Sequence, residues 1–212
     1  MLAHDWDAPA RCCLQHWAAQ SLPLVVTRQQ ANLPHPAGAD AHGAPVALGL
    51  AAPARWGRRL LALRVAPEHI AWFDEFPLLA NVLHTLPGGD QAPLRELDAT
   101  LRQHAMGAHV FGSAGWQRLT GLKYVHERSD LDLWLGVDGP DQADLVAHWL
   151  QQCDTGVRID GELMFADGSA VAWREWAAWR AGLCRQVLVK RLHGASLESN
   201  PQAVASTWPC AA

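Results

Sequence analysis

Between Ser129 and Leu135 the chain reads Ser-Asp-Leu-Asp-Leu-Trp-Leu. A period of two puts Asp130 and Asp132 on one face of a strand and Leu131, Leu133 and Leu135 on the other. Two carboxylates held side by side repel each other unless a cation lies between them, so the pair makes chemical sense as a divalent-metal site. Mg²⁺ suits it, because that ion prefers hard oxygen ligands and completes its octahedron with waters and substrate phosphates. Upstream, the apolar run His109-Val110-Phe111 ends at Gly112-Ser113. Glycine lets the backbone approach a ligand without interference from a Cβ, and serine adds a hydroxyl and an amide able to face a phosphate oxygen. Taken singly, these pieces read more readily as an ordinary turn and the wet face of an amphipathic strand. In this order, each after an apolar segment, they describe a phosphate cradle followed by a metal-binding strand.

Further cations and rings stand as candidates around that unit. Arg55, Arg58 and Arg59 flank Gly57, and planar guanidinium donors match phosphate oxygens; the competing reading is a solvated sheet edge. Lys190 and Arg191 close the apolar run Val187–Val189 and offer a second source of positive charge. Trp173, Trp176 and Trp179 recur every three residues, which fits a buried helix face better than a stacking surface for a base. The eleven histidines show no metal-ligand spacing, and none is assigned catalysis.

The order Gly112-Ser113 then Asp130-x-Asp132 resembles the signature of the polymerase-beta-like nucleotidyltransferase superfamily. That resemblance implies a third carboxylate on a neighbouring strand. Val157–Phe165 offers Asp160, set between Ile159 and Gly161, with Glu162 on the same strand face as the reserve. Glycine after Asp160 departs from the apolar residue the pattern asks for, and leaves the choice between the two acids open. Over nearly the whole chain, FGSAGWQRLTGLKYVHERSDLDLWL, VRIDGELMF, AVAWREW and VLVKR resemble the malonate decarboxylase holo-acyl-carrier-protein synthases, a family of phosphoribosyl-dephospho-CoA transferases. Trp116-Gln117 and Leu119–Leu122 separate this family from the wider superfamily.

The resemblance implies an enzyme that moves the phosphoribosyl-dephospho-CoA group from triphosphoribosyl-dephospho-CoA to a serine of the malonate decarboxylase acyl-carrier protein, releasing pyrophosphate. Asp130 and Asp132 would hold two Mg²⁺ ions, and Asp160 would help hold the one that activates the attacking hydroxyl. Gly112 and Ser113 would grip the leaving pyrophosphate, with Arg55, Arg58, Arg59 and Lys190 as phosphate contacts. Two other functions stand beside this one: a nucleotidyltransferase using ATP or another triphosphate on a different acceptor, and a non-catalytic binding module of the same fold. Retention of mutually repelling carboxylates argues against the second.

The elements that must position these residues follow from periodicity. The expected class is α/β (α+β), with a small N-terminal α/β domain over residues 1–90 and a nucleotidyltransferase-fold domain over 91–212, a mixed sheet flanked by helices. The first should hold a helix over Leu2–Gln20, strands over Leu24–Arg28, Val46–Leu50 and Arg59–Val65, a loop over Asn32–Gly43, and partial helix over Ile70–Leu83. The linker Leu86–Pro93, rich in Pro and Gly, marks the boundary to within about ten residues. Beyond it come a helix over Leu94–Met106, the Asp130 strand, a helix from Gly139-Pro140 to Gln152, the Asp160 strand, an Asp167-Gly168 hairpin to Ala170–Trp173, a final strand Val187–Arg191, and a poorly ordered tail from Ser199. The net charge of −4 argues against a surface that coats nucleic acid. Cys12, Cys13, Cys153, Cys184 and Cys210 form neither a zinc spacing nor a disulfide framework. No apolar run is long enough to span a bilayer, so the expectation is a cytoplasmic protein with no membrane contact.

Overall fold

A computed structural model describes residues 6–29, 43–86 and 91–200. The loop expected over Asn32–Gly43 lies, but for Gly43, outside those residues, as do the centre of the Leu86–Pro93 linker and the tail after Asn200. Helix α1 (Ala8–Ala19) starts where the Asp7 carboxylate accepts from the Ala10 amide at 3.0 Å, with Pro9 in the first turn where no amide is needed. Strands β1 (Val25–Val26), β2 (Val46–Ala51) and β3 (Leu60–Val65) form an antiparallel sheet in that order. A 3-10 turn over Ala54–Trp56 and a left-handed Gly57 return the chain from β2 to β3.

Partial helix over Ile70–Leu83 is realised only as 3-10 turns at Leu79–Asn81 and Leu83–Thr85. Pro77 has no amide to donate, and its carbonyl accepts from the Val110 amide at 2.8 Å, so the chain there is committed to a strand neighbour rather than to itself. The consequence reaches the domain layout. Leu79, Val82 and Leu83, upstream of the expected linker, and Leu86, its first residue, are buried in the core of the second sheet.

Helix α2 (Ala92–Gln103) buries Leu94, Leu97 and Leu101, the stripe its spacing predicts. Then follow β4 (Ala108–Val110), α3 (Gly112–Thr120), β5 (Leu131–Val137), α4 (Pro140–Gln152), β6 (Ile159–Phe165), β7 (Ala170–Ala172), α5 (Trp173–Arg180), β8 (Val187–Arg191) and β9 (Gly194–Glu198). The six strands lie side by side in chain order; β5 and β6 are parallel and the other neighbours antiparallel. Helix α4 makes the crossover that a parallel pair requires. This is the mixed α/β sheet expected. Leu131, Leu133 and Leu135 are fully buried, so the opposite face of β5 is free to carry acids.

A large buried side chain packs the second unit against the first. Trp116, on α3, is buried with Ala10, Cys13, Trp17, Leu50 and Leu61 of the first unit. Its ring meets Trp17 at 6.3 Å and Phe76 at 6.0 Å edge-on, the arrangement aromatic quadrupoles favour. Whatever α3 carries at its start is thereby fixed against the first unit.

Candidate active site

In the parallel β5–β6 ladder Asp132 and Asp160 are direct partners across the strands, and Asp130 precedes β5 by one residue. The Asp160 carboxylate accepts from the Gly161 amide at 2.9 Å. Gly161 has φ +152°, and a Cβ there would lie 2.0 Å from the Leu133 carbonyl oxygen, so the close approach of β5 excludes the apolar residue the sequence pattern asks for. Arg158 reaches both outer acids, its nitrogens 3.6 Å from Asp130 and 3.6 Å from Asp160. Asp132 is half-buried. Burial first, then the charges of Asp160 and Asp130, push its carboxyl up to about 6, against a smaller opposing pull from Arg158.

Gly112 presses directly on that carboxylate. At φ +60° it opens α3, and a Cβ would overlap the Asp132 Oδ2 at 1.8 Å. The expected turn is therefore the first turn of a helix. No side chain caps it, so the amides of Gly112, Ser113 and Ala114 have no acceptor within the helix, and the helix dipole adds positive potential beside them. A cleft of about 270 Å³ opens in front of this helix start. Arg58 and Arg59 line it from the first unit, facing Gly112, Ser113, Tyr124 and His126 from the second. An anion bound there would meet helix amides on one side and guanidinium groups on the other.

Which family builds such a site is answered by comparison. Residues 2–76 match the N-terminal domain, and residues 78–201 the C-terminal domain, of phosphoribosyl-dephospho-CoA transferase MdcG. The chain belongs to the phosphoribosyl-dephospho-CoA transferase family. A phosphoribosyl-dephospho-CoA transferase of Xanthomonas euvesicatoria pv. vesicatoria is 41% identical over 181 residues, 84% of this chain and 78% of the relative. Another, from Xanthomonas campestris pv. campestris, is 40% identical over 200 residues, 90% of this chain and 88% of the relative. A third, from Bradyrhizobium diazoefficiens, is 37% identical over 171 residues, 80% and 72%. No solved structure matches the chain. The protein is thus an enzyme of the transferase class. Among the described residues no helix of this transferase is long and apolar enough to cross a membrane.

Other residues singled out in the sequence are distributed unevenly. Arg55 is not in the cleft wall: its guanidinium stacks 3.6 Å over the Trp56 ring. Lys190 is tied to Glu162 in an ion pair across the sheet, and Arg191 to Glu198 at 2.6 Å. That pairing commits the reserve acid and the second cation to each other. Trp173 and Trp176 are buried in the core with Trp179 packed against them, the helix-face reading of their spacing. Cys12, Cys13, Cys153 and Cys184 are free thiols.

Three residues of the site were missed in the sequence. Arg158 stands two before Asp160, a spacing that puts both on one side of a strand, and that was the available signal. Tyr124 lines the cleft and donates to the Ala51 carbonyl at 2.6 Å; burial pushes its hydroxyl well up, so it remains a donor. His126 lines the cleft too, its Nδ1 accepting from the Arg128 amide at 3.1 Å, which leaves Nε2 to carry the proton of the neutral ring. Neither had a sequence signal, since both depend on the fold of the loop between α3 and β5.

Among the described residues no three His, Cys, Asp or Glu side chains are already gathered as a metal-binding group. The donor chemistry of Asp130, Asp132 and Asp160 nevertheless fits a hard divalent cation. The three acids stand at the start of the adjacent strands β5 and β6, and burial together with the charges of Asp160 and Asp130 opposes the ionised form of Asp132. The Arg158 guanidinium, 3.6 Å from both Asp130 and Asp160, occupies the position of a cation between them.

Proposed function

We propose that this transferase moves phosphoribosyl-dephospho-CoA from its 5-prime-triphosphate precursor to a serine hydroxyl of the malonate decarboxylase acyl-carrier protein, releasing pyrophosphate. The observation that carries the reading is the contact of Gly112 with Asp132, which sets an anion-binding helix start against a carboxylate cluster. In the reaction the serine oxygen attacks the α-phosphorus and loses its proton; a new P–O bond forms as the bridge to the β-phosphate breaks, and pyrophosphate leaves with that electron pair. A phosphodiester results.

Asp130, Asp132 and Asp160 would hold Mg²⁺, as two ions. When bound, the metal lowers the pKa of the attacking hydroxyl and neutralises phosphate charge. The amides of Gly112 and Ser113 hold the departing phosphates, and Arg58 and Arg59 supply charge from the opposite wall. Such chemistry needs positioning and charge neutralisation, and no protein nucleophile. The cleft separates the two units, so substrate bridging them is also aligned by both. Free thiols suit a reducing cytoplasm.

The test is direct. Incubate the protein and Mg²⁺ with the carrier protein and triphosphoribosyl-dephospho-CoA, then with ATP in its place, and weigh the carrier by mass spectrometry. A carrier heavier by the phosphoribosyl-dephospho-CoA group only with the first donor is expected. Addition of an adenylyl group from ATP alone would overturn the donor assignment.

A further inference from the structure

Arg158 stands immediately before β6 and is more than half exposed. One nitrogen lies 3.6 Å from Asp130 and another 3.6 Å from Asp160, so one guanidinium spans both outer acids without a short hydrogen bond to either. Exposed, loose ion pairs of this kind hold weakly and exchange readily. Arg158 also lines a second cavity of about 270 Å³, between the end of α4 and the start of α5, together with Gln151 and Asp154, whose side chains carry oxygen acceptors, and with Arg174, whose guanidinium donates to the Ile159 carbonyl at 2.9 Å. The guanidinium therefore has a polar place to move to.

We infer that Arg158 is a displaceable counter-ion: it holds Asp130 and Asp160 in the metal-free protein, competes with a divalent cation for them, and turns toward Gln151 and Asp154 when the cation binds. The inference rests on the reading of Asp130, Asp132 and Asp160 as metal-holding residues. One guanidinium brings a single charge to two acids, whereas a divalent ion brings two and can be coordinated by all three. Exchange is thus favoured but opposed, and the opposition falls most heavily on metal arriving without substrate phosphates to supply further ligands. Arg158 is in this sense a positioning residue that makes loading of metal and triphosphate depend on each other.

The experiment uses the full-length protein as wild type, Arg158→Ala, Arg158→Lys and Asp132→Asn. Free Mn²⁺ is followed by electron paramagnetic resonance without substrate, and unfolding midpoints are recorded with and without Mn²⁺. Arg158→Ala should bind Mn²⁺ about tenfold more tightly than wild type. Arg158→Lys should fall between, because a point charge cannot span both acids. Metal-free Arg158→Ala should melt lower than wild type and recover the difference when Mn²⁺ is added. Equal or weaker Mn²⁺ binding by Arg158→Ala, or a midpoint lowered equally with and without Mn²⁺, overturns the inference alone, provided that Asp132→Asn has lost the binding seen in wild type. If Asp132→Asn binds as wild type does, or no protein binds Mn²⁺, the metal-site reading falls and the inference with it.

Discussion

Where α4 meets α5, Asp144 accepts from the Trp176 indole at 2.9 Å and from the Arg180 guanidinium at 2.9 Å and 3.0 Å. Where β5 and β6 begin, Asp130, Asp132 and Asp160 share one loosely held arginine, and Asp132 ionises against both burial and its neighbours. The residue type is the same in both places. At the first corner every acceptor faces a donor, and the carboxylate tethers a buried tryptophan. At the second the charge is left under-balanced, which is costly for a fold and useful for a site that must attract cations. An acid with matched partners reads as architecture, and an acid deprived of them as chemistry.

Breaking each corner should therefore damage different properties. Asp132→Asn keeps size and removes one anionic ligand, so transfer to the carrier should fall by at least about a hundredfold with the fold intact. Asp144→Ala leaves the buried Trp176 N–H without an acceptor, and should lower stability by about 1–3 kcal/mol. Turnover of its folded fraction should stay near wild type. Carrier labelling followed by mass spectrometry and urea unfolding measure the two effects, and a variant that moves the other corner's readout breaks the contrast.

The same contrast divides β6 within two residues. Asp160 has Arg158 at arm's length and Asp132 as its cross-strand partner, whereas Glu162 is neutralised by Lys190. Asp160→Ala should abolish transfer, while Glu162→Ala should leave substantial activity and a less stable protein whose Lys190 has lost its counter-ion. The reverse ranking would move the third-acid role to Glu162. Initial rates and unfolding curves of both variants decide it.

Much of this layout was legible because strand and helix periods are local. The alternation over Ser129–Leu135 fixes which face of β5 carries Asp130 and Asp132, and the stripe Leu94, Leu97 and Leu101 reappears buried on α2. The order of glycine, serine and acids pointed to the family that the comparisons show. Contacts distant in sequence were not legible. No spacing rule brings Gly112 onto Asp132, or Trp116 into the core of the first unit. The α3 helix begins with two glycines in four residues, poor helix formers held by Trp116 packing, so its sequence read as a turn. Pro77 and Leu78 spend their backbone on β4, a demand no local pattern records.

A smaller effect sharpens the comparison across the cleft. Arg58 faces the helix start, while Arg55 leans on Trp56 and Lys190 on Glu162. Arg58→Ala should raise the Michaelis constant for triphosphoribosyl-dephospho-CoA about tenfold, equivalent to about 1.4 kcal/mol of lost phosphate contact, and move that for the carrier protein much less. Arg59→Ala should act likewise, but it also frees Asp7, the cap of α1. Arg58 is thus the cleaner probe. Arg55→Ala and Lys190→Ala should change the precursor constant little; a larger effect from Lys190→Ala would shift the phosphate clamp to the far side of the sheet.

The smallest effect tests the electrostatic premise itself, in the absence of metal and substrate. Asp132 has its carboxyl raised to about 6 in the folded protein against an ordinary value of 3.8, so the folded state binds the proton more tightly than the unfolded chain. Stability from the protonated carboxyl is complete below about pH 4 and is lost as pH rises through about 6. Asparagine has nothing to ionise and avoids that loss. A shift of about two units corresponds to roughly 3 kcal/mol at full strength, but solvent screening of a half-exposed group leaves about 1 kcal/mol. In a chain of this size that is about 2–4 °C. Metal-free Asp132→Asn should therefore melt about 2–4 °C above wild type at pH 7.5, with the gap narrowing below pH 6 and closing near pH 4. Asp144→Ala should melt below wild type, in keeping with a carboxylate whose partners are in place. An Asp132→Asn protein less stable than wild type at pH 7.5 would mean that the acids at β5 and β6 are structural after all.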